Sequence, residues 1–213
     1  MAVVQPFSAP TPAAPAALPA PAAIHQLHHV AYRARDAEET RHFYEDILGL
    51  PLYHIIQSDV VPSTGEYCPY THFFFQLRDG SFIAFFDLGD DVASLPSPNT
   101  PSWVQHIAFR VDTVQELEDM KTRLEAEGVE VLGVTDHHIF KSIYFFDPNG
   151  VRLELSAQLA DTVQMHKDSL VARERLDAWT ARKAQWRAER AAGQVAGTLK
   201  PQQNDRPEYA TEV

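Results

Sequence analysis

The sequence predicts an α+β fold: two βαβββ modules that together form a cup, with a C-terminal helical extension after them. Three observations predict it. The segment His29-Val30-Ala31-Tyr32-Arg33 returns as His106-Ile107-Ala108-Phe109-Arg110, each copy is followed by a helix-compatible stretch and then three β-rich stretches, and Asp79-Gly80 and Asn149-Gly150 fall at the same place in both. A repeat is read before any single residue, because it defines the unit that has to fold.

From residue 1 to 23 the chain is almost entirely Ala, Pro, Val, Ser and Thr, with Pro6, Pro10, Pro12, Pro15, Pro19 and Pro21 spread through it. Proline removes backbone donors, and this segment has too little apolar surface to offset the entropy of ordering, so it reads as a disordered, solvated arm. The modules occupy residues 24–157, the first at about 24–90 and the second at about 102–157. In the first, the strand at His29 leads to a helix from Asp36 to about Leu48, then to strands at Tyr53–Gln57, His72–Leu77 and Ser81–Asp87. In the second, the strand at His106 leads to a helix from Thr113 to about Glu127, then to strands at Val129–Val134, Ser142–Phe146 and Val151–Ser156. Thr113 and Glu116 have capping-box spacing, and Gly128 is placed to end that helix. The Asp-Gly and Asn-Gly pairs are tight turns between the last two strands of each unit.

Residues 158–213 form the extension. Between Leu159 and about Ala191 there is no Pro or Gly, and Val163, Leu170, Val171, Leu176, Trp179 and Trp186 recur among charges at helix-compatible intervals. This is one long amphipathic helix or two shorter ones. The tryptophans, seven apart, share a face that is expected to bury against the domain, a second subunit or a ligand cleft, and a homodimer through this helix is expected. After Gly193 the composition becomes polar, as in a frayed tail.

Composition narrows the partners. Eighteen Lys and Arg against 29 Asp and Glu leave a net charge of -11, so there is no basic stripe for nucleic acid or an anionic membrane surface. No apolar run reaches the ~20 residues of a membrane span, and the N-terminus lacks the charged and apolar blocks of a secretory signal. The single cysteine, Cys68, excludes an internal disulfide and reads as a small buried hydrophobe in a reducing compartment. A cytoplasmic location is expected.

Strand periodicity assigns the faces. Val30, Tyr32, Ile107 and Phe109 point to the helices, whereas His29, Ala31, Arg33, His106, Ala108 and Arg110 point the other way. On the last strand Val151, Leu153 and Leu155 are the apolar set, and Arg152, Glu154 and Ser156 the polar one; Ser142 and Tyr144 share a face on the strand before. A concave polar face lined by His29, His106, Glu154 and Tyr144 follows. Two histidines at equivalent places in a repeat, with one carboxylate, make the ligand set that holds Fe(II) or Mn(II) facially and leaves positions open. The residues themselves do not choose between the two metals.

The paired His-(Val/Ile)-Ala openings, Phe43-Tyr44 with Leu48-Gly49-Leu50, and the closing Asp147-Pro148-Asn149-Gly150-Val151-Arg152-Leu153-Glu154 resemble the vicinal oxygen chelate superfamily over about residues 24–157. That superfamily includes glyoxalases, bleomycin-resistance proteins, fosfomycin thiol transferases and extradiol ring-cleaving dioxygenases. Within it, Thr135-Asp136-His137, Ile143-Tyr144, Asp147-Pro148-Asn149-Gly150 and Glu154 are similar, position by position, to the signature stretch of the extradiol enzymes. The resemblance implies that His29, His106 and Glu154 bind the metal, Fe(II) before Mn(II), with Tyr144 and His137 as acid/base groups beside it. It also implies a small aromatic diol and O2 as substrates. Phe73, Phe74, Phe75, Phe85, Phe86, Trp103 and Phe140 are available to line an aromatic pocket, and most of them also read as ordinary core. His137 and His138 are adjacent, so only one can face the cup, and the signature favours His137.

The chain also departs from these relatives. Aligning Gly80 with Gly150 puts Ala84 opposite Glu154, which disfavours a fourth protein ligand of the glyoxalase kind. Phe82 stands where larger extradiol enzymes carry a further histidine; His72, on the neighbouring strand, is either its substitute or structural. Two other activities use the same cup: a Mn(II)-dependent isomerase, lyase or thiol transferase in which the metal is only a Lewis acid, and non-catalytic sequestration of the bleomycin-resistance type. An intact triad argues against the last, since sequestration needs no such ligands.

Overall fold

The structure is a computed structural model that describes residues 23–95 and 97–191; the proline-rich arm up to residue 22 and the polar tail after Gly193 lie outside the described residues. Two four-stranded sheets carry the fold. The first contains β1 (His29–Ala34), β2 (Leu52–Val60), β3 (Tyr67–Gln76) and β4 (Phe82–Asp87) in the order β1-β4-β3-β2. The second contains β5 (Ile107–Val111), β6 (Leu132–Asp136), β7 (Phe140–Phe146) and β8 (Arg152–Gln158) in the order β5-β8-β7-β6. In both, the opening strand runs parallel to the closing one and the other pairings are antiparallel. The repeat in sequence is therefore a repeat in topology.

Register makes the equivalence residue-specific. Ala84 lies opposite Ala31 and Phe74, while Glu154 lies opposite Ala108 and Tyr144. It follows that Ala84 is the counterpart of Glu154, as the glycine alignment predicts. By the same step Phe82 matches Arg152, Phe74 matches Tyr144 and His72 matches Ser142.

Each module has one helix between its first two strands. α1 (Ala37–Arg41) starts at Asp36, whose carboxylate accepts from the backbone N–H of Glu39 at 2.7 Å. It does not continue as the uniform helix expected to Leu48. Residues His42–Ile47 form a π-helical turn, closed by the Leu48 N–H on the Phe43 carbonyl, five residues back, at 3.0 Å. The wider turn lets Phe43, Tyr44 and Ile47 all reach the core. α2 (Val114–Ala126) has the expected capping box between Thr113 and Glu116. Gly128, at φ +79°, supplies the left-handed residue that ends it.

A single core spans both modules, with Phe43, Tyr44, Phe75 and Phe85 from the first and Leu117, Leu124, Ile143, Phe145 and Leu153 from the second. At roughly 1.5–3 kcal/mol for each large side chain fully buried, this shared cluster binds the modules into one folding unit. Polar contacts fix how they meet. The Tyr44 hydroxyl donates to Asp147 at 3.0 Å, the Arg35 N–H to Asn149 Oδ1 at 2.8 Å, and Asn149 Nδ2 to Thr40 Oγ1 at 3.1 Å. Arg123 donates to the carbonyls of Ile47 at 2.7 Å and Asp46 at 2.6 Å. The β7–β8 turn is thus latched to α1, and α2 to the end of the π-helical turn.

α3 (Thr162–Ala191) is one continuous helix of 30 residues, and none of them is buried. The Trp179 and Trp186 rings pack edge to face at 5.4 Å with Arg182 over Trp186 at 4.6 Å, yet Trp179 is 47% exposed. The face expected to bury does not do so against its own domain. Among the described residues no helix is long and apolar enough to cross a membrane.

Candidate metal centre

Glu154 is the best-defined candidate residue of the second sheet. It sits on β8 with a 3% exposed side-chain environment, between strands on either side. Its Oε1 accepts hydroxyl protons from Ser142 and from Ser156, the latter at 2.7 Å. Each serine has one hydroxyl proton, so with both given to Glu154 the 2.9 Å approach of the two hydroxyls adds no third bond. Oε1 is thereby occupied, and Oε2 is aimed at His106, whose Nε2 lies 2.9 Å away. His106 immediately precedes β5, which pairs with β8.

Tyr144 flanks this pair from β7. Its ring meets that of His106 edge-on at 6.0 Å, and its hydroxyl lies 2.8 Å from His137 Nε2. Burial, followed by the nearby Glu154 carboxylate, raises the Tyr144 pKa above its ordinary value, so the phenol keeps its proton. The choice between His137 and His138 is decided by the β6–β7 turn. His138 occupies the left-handed region at φ +69° with its N–H on Asp136 Oδ1 at 2.7 Å, while the ring of His137 turns to Tyr144 and packs on Phe140 at 4.8 Å.

His29 stands apart from that group. Its Nδ1 is 2.7 Å from Nδ1 of His28, and its ring neighbours Phe74 at 5.6 Å and His72 at 6.2 Å. Among the described residues no three His, Cys, Asp or Glu side chains converge as a metal site within one chain. The structure brings His106, Glu154, Tyr144 and His137 together and leaves His29 on the other sheet. The modules meet through α1, α2 and the β7–β8 turn, and among the described residues no strand of one sheet pairs with a strand of the other.

The donor chemistry fits a divalent first-row ion. Two ligands at about 2.1 Å from one ion and at right angles stand about 3.0 Å apart, close to the separation of His106 Nε2 and Glu154 Oε2. His72 belongs to the framework. Its Nδ1 lies 2.9 Å from the Phe85 carbonyl, its ring stacks on Phe86 at 3.7 Å, and burial lowers its pKa, which favours the neutral form. Of the candidate pocket aromatics, Phe73, Phe75 and Phe85 are core, whereas Trp103 lines a cleft of about 710 Å³ together with Phe146, Tyr144 and Arg152. Ser142, Ser156 and Arg152 carry more of the site than sequence reasoning assigned to them. Their signal was present, since alternation puts all three on the Glu154 face.

Comparison with known proteins agrees with this architecture. One sequence relative carries the name "Putative ring-cleaving dioxygenase MhqA", from Bacillus subtilis (strain 168); it is 40% identical over 53 residues, which are 25% of this chain and 17% of that protein. Another is Metallothiol transferase FosB of Staphylococcus epidermidis, 26% identical over 155 residues, 68% of this chain and 94% of that one. Among solved structures, the glyoxylase/bleomycin resistance protein/dioxygenase domain from Frankia sp. EAN1pec shares the fold at TM-score 0.53 and 18% identity, covering 64% of this chain and all of that one, at 100%. Residues 26–155, which include His29, His106, His137, Tyr144 and Glu154, match the sequence profile of one family, and the chain belongs to it: the Glyoxalase/Bleomycin resistance protein/Dioxygenase superfamily.

Proposed function

We propose that the chain is a metal-dependent enzyme, an Fe(II) ring-cleaving dioxygenase of a catecholic small molecule, whose site is completed in a homodimer. The observation that carries the reading is the hydrogen-bonded His137–Tyr144 pair beside the His106–Glu154 donor pair. His106 and Glu154 of one copy and the partner subunit's His29 would hold the ion. Bound there, Fe(II) supplies open positions and an electronic path between a chelating diol and O2. The protein's own part is proton handling and orientation. Tyr144 donates its hydroxyl proton to a substrate oxygen, and His137, 2.8 Å from that hydroxyl, takes up or returns a proton as the diol binds and the ring opens. The serines keep Glu154 turned to the ion.

Two features support the second copy: the three ligands do not meet within one chain, and α3 leaves Leu170, Leu176 and Trp179 uncovered. A Mn(II)-dependent thiol transferase is the second reading. The match spanning 94% of FosB favours it, and it would use the same donors with the ion as a Lewis acid only.

The deciding experiment is oxygen uptake by anaerobically Fe(II)-loaded protein across substituted catechols, with His106→Ala as control. The dioxygenase reading expects uptake stoichiometric with a yellow ring-opened product and none from the control. Full metal loading with no uptake, together with metal-dependent consumption of a thiol by an electrophile, would replace it with the transferase reading.

A further inference from the structure

Arg152 is the one strongly charged residue of the centre that the reading above does not use. It lies on the Glu154 face of β8, two residues before Glu154, where the first module has Phe82. Four other arginines of the modules are spoken for. Arg33 donates to the Val92 carbonyl at 2.8 Å, Arg35 to Glu39 at 2.6 Å, Arg41 to Glu38 at 2.7 Å and Arg123 to the Ile47 carbonyl at 2.7 Å. Among the described residues Arg152 has no hydrogen-bond partner for its Nε, which is buried. Its guanidinium lies 4.7 Å above the Tyr144 ring and lines the cleft of about 710 Å³.

A guanidinium keeps its charge in proteins and presents five donors in a planar fork, so the buried Nε–H of Arg152, left without an acceptor, costs free energy until one arrives. Of the carboxylates that line the same cleft, Glu39 is tied to Arg35 at 2.6 Å and Asp147 to Tyr44 at 3.0 Å, while Glu130 is exposed and among the described residues forms no ion pair with Arg152. We infer that the small molecule taken by this centre carries an anionic oxygen group, a carboxylate or a comparable oxyanion, and that Arg152 receives it. Two residues along a strand span about 6.7 Å, roughly one substituted benzene ring from its vicinal oxygens to a carboxyl on the far side. This inference rests on the proposed reading in placing the oxygens of the substrate at His106 and Glu154, while the anion contact stands on Arg152 itself.

The test separates the two. Anaerobic titration calorimetry on Mn(II)-loaded protein compares 3,4-dihydroxybenzoate with its neutral amide, in the native protein and in Arg152→Gln. The carboxylate is expected to bind at least tenfold more tightly than the amide, and the preference is expected to vanish in the variant while the amide changes less than threefold. Equal affinities in the native protein, or a preference that survives in Arg152→Gln, would overturn the inference. If neither diol binds, the diol reading fails on its own, and the anion contact is read by nuclear magnetic resonance. Benzoate, which has no diol, is titrated into arginine-¹⁵N-labelled native protein, and the Arg152 Nε–H signal, identified by its loss in Arg152→Lys, must shift and saturate. A signal that does not move would also overturn the inference.

Discussion

Replacing Asp147 by Asn probes the joint between the modules through its pH dependence. The Asp147 carboxyl is wholly buried, and it accepts from the Tyr44 hydroxyl at 3.0 Å and from the backbone N–H groups of Asn149 at 2.9 Å and Val151 at 2.7 Å. Those donors favour the carboxylate, but burial outweighs them and lifts the pKa from 3.8 to about 6. In the unfolded chain the group returns to its ordinary value, so between about pH 4 and 6 the folded protein holds a proton that the unfolded chain has lost. A group raised in this way contributes stability that is fully present below its unfolded pKa and is lost as pH rises through the folded one. At about 1.4 kcal/mol per pKa unit, the rise from 3.8 to about 6 corresponds to about 3 kcal/mol, most of which falls between pH 4 and 7. Asp147→Asn keeps an acceptor for the two backbone donors and has no proton to lose. Urea unfolding followed by tryptophan fluorescence, run on both proteins from pH 4 to 7.5, isolates the effect as a difference in which the other carboxylates cancel. The difference should move by about 2 kcal/mol in favour of the variant between pH 4 and 7. A difference flat to within about 0.5 kcal/mol would refute the buried-carboxyl account.

Three further outcomes are expected. Ser142→Ala removes one of the two hydroxyl donors to Glu154 Oε1 and should weaken Mn(II) binding about 10- to 100-fold by competitive chelation, with an unchanged circular dichroism spectrum. Tyr144→Phe removes the hydroxyl that meets His137 and should lower kcat about 100-fold or more on an accepted catechol while leaving metal stoichiometry intact; an unchanged kcat would remove Tyr144 from proton transfer. Deleting residues 159–213 should leave the core folded, since α3 buries nothing in it, and should convert a sedimenting dimer into a 23.9 kDa-chain monomer shortened by the deletion; an unchanged dimer would place the contact on the sheets.

The sheets were legible because their signals are local. Period-two alternation put Glu154, Tyr144 and Ser142 on one face, and Asn149-Gly150 and Asp79-Gly80 marked the turns that set the register. Aligning those glycines was enough to identify Ala84 as the counterpart of Glu154. What escaped depends on how distant pieces dock. Nothing near His29 says which module's open face it will meet, because that is settled by Tyr44, Asn149 and Arg123 across the joint. Asp147 stood out only as part of the closing Asp147-Pro148-Asn149-Gly150 motif, and its role in the joint appears only when Tyr44, 103 residues earlier in the chain, is brought against it. The π-helical turn after Arg41 shares its apolar spacing with an ordinary helix, and the choice is made by the fit of Phe43, Tyr44 and Ile47 into a core drawn from both halves. The exposed Trp179–Trp186 pair shows the same limit, since an amphipathic stripe announces that a face wants cover and not what covers it.

The distance between His29 and the His106–Glu154 pair has a genetic consequence. A centre completed by two copies lets two inactive alleles rescue each other: a chain carrying His29→Ala and a chain carrying Glu154→Ala, mixed and allowed to exchange, place both lesions in one cup and leave the other wild type. Random reassortment of equal amounts puts half of the chains in such hybrids, each with one working cup, so about a quarter of all cups recover. A centre complete within each chain would recover none.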